Sequence, residues 1–218
     1  MDQLEIIKAR HSIRQYEDKP VPEEIRKQLI EEVEKLNGES GLHMQLFFDE
    51  PECFKASKPH YGNFVGAKNY FVIVGRRSAD LDEKAGYYGE ELVLFMQELG
   101  LGSCWVALTH GRTKAAVEKD EKQVIVVAFG YAKTQGAPHK SRPMEELCTV
   151  TGEMPDWFRT GMEAACLAPT AVNQQKFLIS WDGKKLSGKV KGLGFYAKID
   201  LGIVKHDFEA ASGHKFEE

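Results

Sequence analysis

Three side chains that could bind an anion lie close together near the N-terminus, in the stretch Arg10-His-Ser-Ile-Arg14. The planar guanidinium of arginine donates two parallel hydrogen bonds, which suits a doubly charged phosphate, and a serine hydroxyl adds another donor. In an extended segment alternate side chains share a face, so Arg10, Ser12 and Arg14 are expected to converge on one ligand. The same pattern also fits a solvated basic patch at a helix C-terminus, where arginine complements the dipole.

A second polar motif lies at 168–175, where Ala-Pro-Thr-Ala-Val-Asn-Gln-Gln joins a predicted helix to a predicted strand. Thr170, Asn173 and Gln175 supply donors and acceptors that suit a polyol chain or an amide edge. Plain turn chemistry is the alternative, because proline, threonine and asparagine all favour turns. Three carboxamides in a row, followed at once by an apolar strand, are more than a turn requires.

Two further motifs carry weaker signals. The stretch 99–105, Leu-Gly-Leu-Gly-Ser-Cys-Trp, follows a long predicted helix, and its glycines are expected to stop that helix and allow close packing. It is not a phosphate loop, because neither GxxxxGK[ST] nor a strand–GxGxxG–helix unit occurs. Lys140 and Arg142 lie in a polar loop and either complete a phosphate clamp or form an exposed basic loop.

The hydrophobic pattern places these motifs on connecting segments between helices and strands. Helices are predicted at about 2–9, 22–36, 80–99, 113–119, 156–168 and 200–211, and strands at 44–49, 70–75, 103–108, 123–131 and 177–181. Strands and helices alternate without the regularity of a parallel series. The fold class expected is therefore α+β, with a mostly antiparallel central sheet wrapped by helices.

Composition excludes several classes of function. The formal net charge is −4 and there is no basic block, so a nucleic-acid partner has no electrostatic support. No apolar run approaches the roughly 20 residues of a membrane helix, and the N-terminus lacks signal-peptide features. We therefore expect a cytoplasmic protein with no membrane partner. The 4 cysteines and 7 histidines lack metal-ligand spacing, so no metal is expected.

Two parts of the chain echo each other. Residues 29–38 and 45–49 read as helix, polar loop and strand ending in aspartate, and so do 161–170 and 176–182. A duplicated unit, with halves that pack like the subunits of a two-fold dimer, is one interpretation. The other is coincidence, since any α+β protein shows such similarities.

Taken in order, the four motifs resemble those of the FMN-dependent nitroreductases, which carry RxSxR, GLGSCW, a basic loop after a strand and APSxxNxQ. The resemblance implies a nitroreductase-like fold and one bound FMN. Arg10 and Ser12 would hold its phosphate, and Arg14 would lie by the N1–C2=O edge of the ring. The implied cofactor-binding residues are Arg10, His11, Ser12, Arg14, Leu108, Thr109, Lys140, Arg142, Pro169, Thr170, Ala171, Asn173 and Gln175.

The chain departs from the common pattern of that family in one respect. The APSxxNxQ-like motif lies at 168–175, whereas common members carry it early and present it to the flavin of a partner subunit. The resemblance therefore implies two pseudo-symmetric halves in one chain. Residues 1–149 would carry the phosphate motif and residues 150–218 the partner-like loop. The assembly expected is a monomer that mimics the family's dimer.

The implied activity is electron transfer from NAD(P)H to a small nitroaromatic or quinone-like acceptor by a ping-pong mechanism, with no catalytic side chain. Aromatic residues of the 51–71 loop, Phe54, Tyr61 and Phe64, would cover the ring or merely pack the loop down. Three alternatives stay open. They are another flavin reaction on the same fold, a flavin-binding or redox-sensing protein with little turnover, and a structural protein with a relic site.

Overall fold

The computed structural model describes residues 2–55 and 63–217, and this part of the chain forms six α-helices and seven strands. The helices are α1 Gln3–Ala9, α2 Glu23–Ser40, α3 Glu52–Lys55, α4 Leu81–Glu98, α5 Asp156–Ala165 and α6 Ala197–Ser212. The strands are β1 His43–Phe47, β2 Asn69–Arg76, β3 Gly102–Val106, β4 Glu121–Gly130, β5 Cys148–Val150, β6 Phe177–Trp181 and β7 Leu186–Val190. Two 3₁₀ turns lie at Met144–Glu146 and Ala171–Asn173.

The strands form two sheets. The larger has the order β1-β2-β4-β3 with every neighbouring pair antiparallel. Its central strands β2 and β4 are largely buried, as their nearly continuous apolar sequences predict. The smaller has the order β5-β6-β7, in which β5 is parallel and β7 antiparallel to β6. The α+β class with a mostly antiparallel sheet is confirmed, although β5 and β7 were not predicted.

The chain divides into two compact units, each assembled from separate stretches of sequence. The first unit contains the described residues within 1–9, 82–91 and 139–218, and the second those within 10–81 and 92–138. Helix α4 therefore begins at the border of the second unit, runs through the first and ends in the second. The prediction that residues 1–149 and 150–218 form two pseudo-symmetric halves stays a proposal.

The core of the second unit holds the aromatic residues of the 51–71 loop that the structure describes. The Phe54 and Phe64 rings lie 5.2 Å apart and pack on a buried cluster that includes Tyr70 and Cys53. Phe54 also contacts the edge of Tyr70 at 5.9 Å. These contacts favour the alternative in which the rings pack the loop down. Tyr61 lies outside the described residues.

In the first unit α6 is the central buried element. It packs on α5, where the Phe158 and Phe208 rings lie 5.4 Å apart, and on α1. It also crosses the start of α4 so closely that the backbones of the two helices are in contact. A Cβ added at Gly202 would lie 1.9 Å from the carbonyl oxygen of Glu83, and one added at Gly86 would lie 2.0 Å from that of Ile199. Only glycine at these two positions permits this crossing.

Helix α2 continues past Asn37-Gly38, where the sequence predicted its end, as far as Ser40. Asn37 remains helical because its side chain bonds forward, accepting from the Met44 amide at 2.8 Å and donating to the Met44 carbonyl at 3.0 Å. Gly41, with φ of 69°, provides the left-handed residue that ends the helix. The asparagine thus connects helix and strand rather than separating them.

The helix predicted at 113–119 is wrong, because this segment is irregular. Side chains on the sheet satisfy its backbone groups. Gln45 accepts from the Ala116 amide at 2.9 Å and donates to its carbonyl at 2.8 Å, and the Tyr70 hydroxyl accepts from the Lys114 amide at 3.2 Å. Helix α5 also ends at Ala165 rather than at 168, and Pro155 rather than Asp156 precedes its first turn.

No helix in the described ranges is both long and apolar enough to cross a membrane. The same residues contain no group of three or more histidine, cysteine or carboxylate side chains that could hold a metal ion.

Candidate functional site

The Arg10–Arg14 segment lies beside β3 in the second unit. The Ile13 amide donates to the Ser103 carbonyl at 2.8 Å, and Ser12 forms a parallel bridge with Ser103. Two of the sequence motifs, RHSIR and GSCW, therefore run side by side. Gly102 is needed there, because an added Cβ would lie 2.6 Å from the Ile13 side chain.

Arg10, Ser12 and Arg14 converge on Cys104, the residue after Ser103. Burial raises the pKa of the Cys104 thiol, while the nearby charges of Arg14 and Arg10 and a hydrogen bond with the Ser12 hydroxyl act in the opposite direction. Arg10 is only 4% exposed. Two guanidinium groups and one hydroxyl therefore act on the same buried thiol. Such a donor set is suited to an anion, and its binding of phosphate stays a prediction.

His11, at the intervening position, has a structural contact. Its Nδ1 lies 2.8 Å from the Gln135 carbonyl oxygen, so Nδ1 carries the proton and donates it. Gly136 follows with φ of 75°, and a Cβ there would lie 2.8 Å from His11 Cβ. The ring therefore fixes the loop after β4, and the cofactor contact predicted for His11 stays a prediction.

Leu108 and Thr109 form a bend after β3. The Leu108 side chain is exposed, whereas Thr109 is buried. The residues that follow the bend are held in place, because the Gly111 amide donates to the Cys53 carbonyl at 2.6 Å. The cofactor contact predicted for Leu108 and Thr109 stays a prediction.

In the first unit the 168–175 loop is bonded to the segment that carries Lys140 and Arg142. The Gln175 side chain accepts from the Arg142 amide at 2.7 Å and donates to the Lys140 carbonyl at 2.9 Å. Asn173 donates to the same carbonyl at 2.9 Å. The two motifs are therefore adjacent, and both cationic side chains remain exposed.

Gln175 is a positioning residue in this arrangement. Its amide group also donates to Asn173 Oδ1 at 2.9 Å, so both of its N–H groups and its oxygen are engaged within the protein. Asn173 is exposed and keeps hydrogen-bonding capacity for another molecule. The Thr170 hydroxyl oxygen accepts from the backbone amide of Gln175 at 3.1 Å. The hydroxyl proton of Thr170 is therefore left for a further acceptor.

The backbone of this loop is strained. Val172, Asn173 and Gln175 have φ of 48°, 55° and 47°, and Tyr196 before α6 has φ of 59°. A left-handed conformation is costly for non-glycine residues and most of all for a β-branched valine. Of the five such residues in the described chain, three lie in this loop, Tyr196 lies directly before α6, and the fifth is Asp49. Clustered strain of this kind is typical of binding sites.

Asp200, which the sequence did not mark as a site residue, holds the strained segments together. Its carboxylate accepts from the Ala171 amide at 2.9 Å and from Gln174 Nε2 at 2.7 Å. Burial raises the pKa of Asp200 to about 6, and the two hydrogen bonds partly offset that rise. A carboxylate in the first turn of a helix, directly before the apolar run Leu201–Val204, was the sequence signal that could have indicated this role.

The cysteine thiols are unsuited to redox chemistry, because all four are buried. Burial raises the pKa of Cys53 to about 12 and that of Cys166 to about 11, and it also raises those of Cys104 and Cys148. A thiol reacts as its thiolate, so these groups are poor nucleophiles near neutral pH.

The structure thus distributes the predicted binding residues over both units. Those of the second unit are Arg10, His11, Ser12, Arg14, Leu108 and Thr109, and those of the first are Lys140, Arg142, Pro169, Thr170, Ala171, Asn173 and Gln175. Within each unit they lie on connected segments. The sequence missed Gln174 and Asp200, which position the loop of the first unit.

Comparisons with solved structures show where this fold occurs. A crystal structure described as a "putative nitroreductase" from Thermotoga maritima has a TM-score of 0.69 and 23% identity, covering 97% of this chain and 83% of that one. A second "putative nitroreductase", from Desulfovibrio desulfuricans in complex with FMN, has a TM-score of 0.55 and 22% identity over 67% of this chain and 94% of that one.

An FMN-dependent nitroreductase from Clostridium difficile has a TM-score of 0.50 and 20% identity, over 62% of this chain and 90% of that one. Among curated protein sequences, none matches significantly. The family model described as "Putative TM nitroreductase" matches residues 2–212, which is nearly the whole chain. With the α+β fold in place and the motifs on its connecting loops, this chain belongs to that nitroreductase family.

Proposed function

We propose that the protein is an FMN-dependent oxidoreductase that transfers electrons from NAD(P)H to a small nitroaromatic or quinone-like acceptor by a ping-pong mechanism. The observation that carries the proposal is that the Arg10–Arg14 segment runs beside β3, where Ser12 bridges Ser103 and the charges of Arg10 and Arg14 act on Cys104. Membership of the nitroreductase family supports it, as does the presence of FMN with a structure of the same fold.

The chemistry of the donor set fits FMN. Arg10 and Ser12 supply the bidentate cation and the hydroxyl that a phosphate monoester requires. Lys140 and Arg142 add exposed cations, although Arg142 also lies 3.9 Å from Glu146. Thr170 and Asn173 retain capacity for the hydroxyls of a ribityl chain. The residues present are therefore adequate for each polar part of the cofactor.

Bound FMN would supply the redox chemistry, accepting a hydride from the nicotinamide and giving two electrons to the acceptor. Arg14 would serve that chemistry by placing positive charge beside the ring, which favours its anionic reduced form. Gln175 keeps the Lys140–Arg142 segment against the loop of the first unit. The backbone amides near Leu108 and Thr109 would hold the ring of the bound cofactor. No side chain is assigned as an acid or base.

The visible absorption spectrum of the purified protein tests the proposal directly. Flavin bands are expected as isolated or after addition of FMN, and anaerobic NADH or NADPH is expected to bleach them. A nitroaromatic or quinone added next should restore them. A yellow protein that neither nucleotide bleaches would leave only flavin binding. A colourless protein that FMN does not stabilise against heat would eliminate the flavin assignment altogether.

A further inference from the structure

The loop before α6 exposes two large apolar side chains. Leu193 is 91% exposed and Phe195 is 87% exposed. They alternate with Gly192 and Gly194 and lie directly before Tyr196, the strained residue that precedes the helix. Adjacent exposed apolar side chains of this size are typical of a binding surface.

This loop is held through its backbone, which leaves the two side chains available. The Phe195 carbonyl accepts from Gln174 Nε2 at 2.7 Å, and the Leu193 carbonyl accepts from Lys176 Nζ. Gly194 passes so close to Gln174 that an added Cβ would lie 2.5 Å from its Oε1. The loop is therefore anchored at three successive residues by contacts that do not use Leu193 or Phe195 side chains.

The same anchor joins the loop to the proposed flavin-binding segment. Gln174 donates both to Phe195 and to Asp200, and Asp200 also accepts from the Ala171 amide. Val172, in the strained turn of that segment, is 65% exposed. Three exposed apolar side chains thus belong to one hydrogen-bonded network that also presents Asn173.

Two lysine ammonium groups are bonded to backbone carbonyls in or next to this loop. The carboxylate of the same network, Asp200, is bonded to Gln174 and to the Ala171 amide. Lys176 and Lys191 direct their ammonium groups to backbone carbonyls, of Leu193 and Glu146 respectively. Within the residues that the structure describes, neither ammonium forms an ion pair with a carboxylate, so both retain a net charge beside the loop.

We propose that residues 191–196, together with Val172, form the contact surface for the electron acceptor and select a planar aromatic compound that carries a negatively charged group. The inference rests on the proposed function, because it assigns an acceptor class to the same site. Phe195 offers a ring face for stacking and Leu193 and Val172 supply apolar contact. Lys176 and Lys191 attract the anionic substituent.

The test compares 4-nitrobenzoate with its methyl ester as acceptors for the flavin-loaded protein. In the double variant Leu193→Ser/Phe195→Ser, kcat/KM for 4-nitrobenzoate should fall about tenfold because the stacking surface is lost. In Lys191→Gln, the ratio of kcat/KM for the acid to that for the ester should fall about threefold. FMN content and melting temperature should match the wild type in both.

Ile30→Ser is the matched control, since it removes an exposed apolar side chain from α2 in the second unit. It should change neither kcat/KM nor the acid-to-ester ratio. If the double variant reduces both acceptors as the wild type does, the acceptor surface is refuted even though the flavin enzyme stands. The same holds if the double variant only converts a dimer to a monomer at unchanged selectivity.

A readout without turnover separates the two proposals. Saturation-transfer NMR measures binding of 4-nitrobenzoate to the wild type and the double variant, with and without FMN. If the wild type reduces no acceptor, the proposed function fails, and a signal lost only in the double variant still supports the surface. Equal signals in both proteins, or none in either, overturn it.

Discussion

Asp200 is a buried carboxylate whose ionisation opposes folding. It is 4% exposed, and burial raises its pKa to about 6, above the usual 3.8. The folded protein therefore binds more protons than the unfolded chain between about pH 4 and 6. Over that window the contribution of Asp200 to the free energy of unfolding falls as pH rises. The strained loop is thus held by hydrogen bonds to a carboxyl group whose burial favours its neutral form.

Replacing Asp200 by asparagine removes this titration. The free energy of unfolding of Asp200→Asn minus that of the wild type should rise between pH 4 and 7, by on the order of 3 kcal/mol for a two-unit shift. The loss of one acceptor for Gln174 lowers stability equally at every pH, so the slope is diagnostic. Urea unfolding at several pH values measures it. A difference that is independent of pH would show that folding does not raise the pKa of Asp200.

Arg10→Ala tests the phosphate contact. The variant should lose FMN, because a phosphate deprived of a bidentate partner is bound more weakly by roughly 2–5 kcal/mol. Flavin content after gel filtration and equilibrium dialysis with FMN measure the loss. Ser12→Ala should show a smaller effect in the same direction.

Arg112→Ala provides the control for this pair, since Arg112 is an exposed arginine of the same unit. Circular dichroism of each variant verifies that the fold is intact. Full flavin occupancy in folded Arg10→Ala would refute the assignment.

At the scale of elements, the crossing of α4 and α6 depends on two glycines. Gly202 faces the Glu83 carbonyl and Gly86 faces that of Ile199, each at a distance that excludes a methyl group. Because α6 begins at the Asp200 network, this crossing also fixes the loop of the candidate site. A side chain at either position would push α6 away from the part of α4 that belongs to the first unit.

Gly202→Ala should therefore destabilise the protein by on the order of 3 kcal/mol or more, through overpacking against a backbone that cannot yield. Gly38→Ala in α2 is the matched change, since nothing lies within 4 Å of a Cβ there. It should stabilise by about 0.5–1 kcal/mol because alanine is the better helix former. Thermal and urea unfolding compare them. Equal changes in the free energy of unfolding for the two substitutions would contradict the close approach of α4 and α6 at Gly202.

The sequence was sufficient for elements with strong periodic patterns and failed where side chains elsewhere satisfy the backbone. Strands β2, β4 and β6 and the long helices were predicted within a few residues. The helix at 113–119 was not formed because Gln45 and Tyr70, distant in sequence, bond its backbone. Asn37 stayed helical for a similar reason. Local propensity contains no information about such partners.

The same limit applies to the candidate site. Composition and spacing picked out Arg10, Ser12 and Arg14, which all influence the Cys104 thiol, and their convergence on one ligand stays a prediction. Composition and spacing assigned Gln175 the same role as Asn173. In the fold, the side-chain amide of Gln175 forms all its hydrogen bonds within the protein, whereas that of Asn173 is exposed. Which carboxamide is consumed internally depends on the Lys140 carbonyl and the Arg142 amide, more than thirty residues away.

At the scale of the whole molecule, the comparisons divide into two kinds. The Thermotoga maritima structure covers 97% of this chain, whereas the Desulfovibrio desulfuricans and Clostridium difficile structures cover 67% and 62% of it although nearly all of each is matched. About a third of this chain thus has no counterpart in those folds. A single-chain pseudo-dimer, in which residues 150–218 replace part of a partner subunit, would have this property.

If the pseudo-dimer proposal is right, a monomer binds one FMN. Sedimentation velocity with detection at a flavin wavelength should show colour moving with the 24.5 kDa species. Asn173→Ala should weaken FMN binding in that species because the partner-like loop belongs to the same chain. Flavin confined to a dimer, with colourless monomer, would refute the idea without affecting the assignment of Arg10.

Because the two units are built from interleaved stretches of sequence, their residues become available for folding at different times during synthesis. The second unit has all its residues once position 138 has emerged from the ribosome, whereas the first needs the stretch beyond 139. Helix α1 contacts α5 and α6, and with 7 residues it is too short to be stable alone. At about 5–20 residues per second it therefore waits roughly 10 to 40 seconds for α6. Nascent chains should accordingly acquire protease resistance in the second unit first, with the N-terminal helix the last segment to be protected.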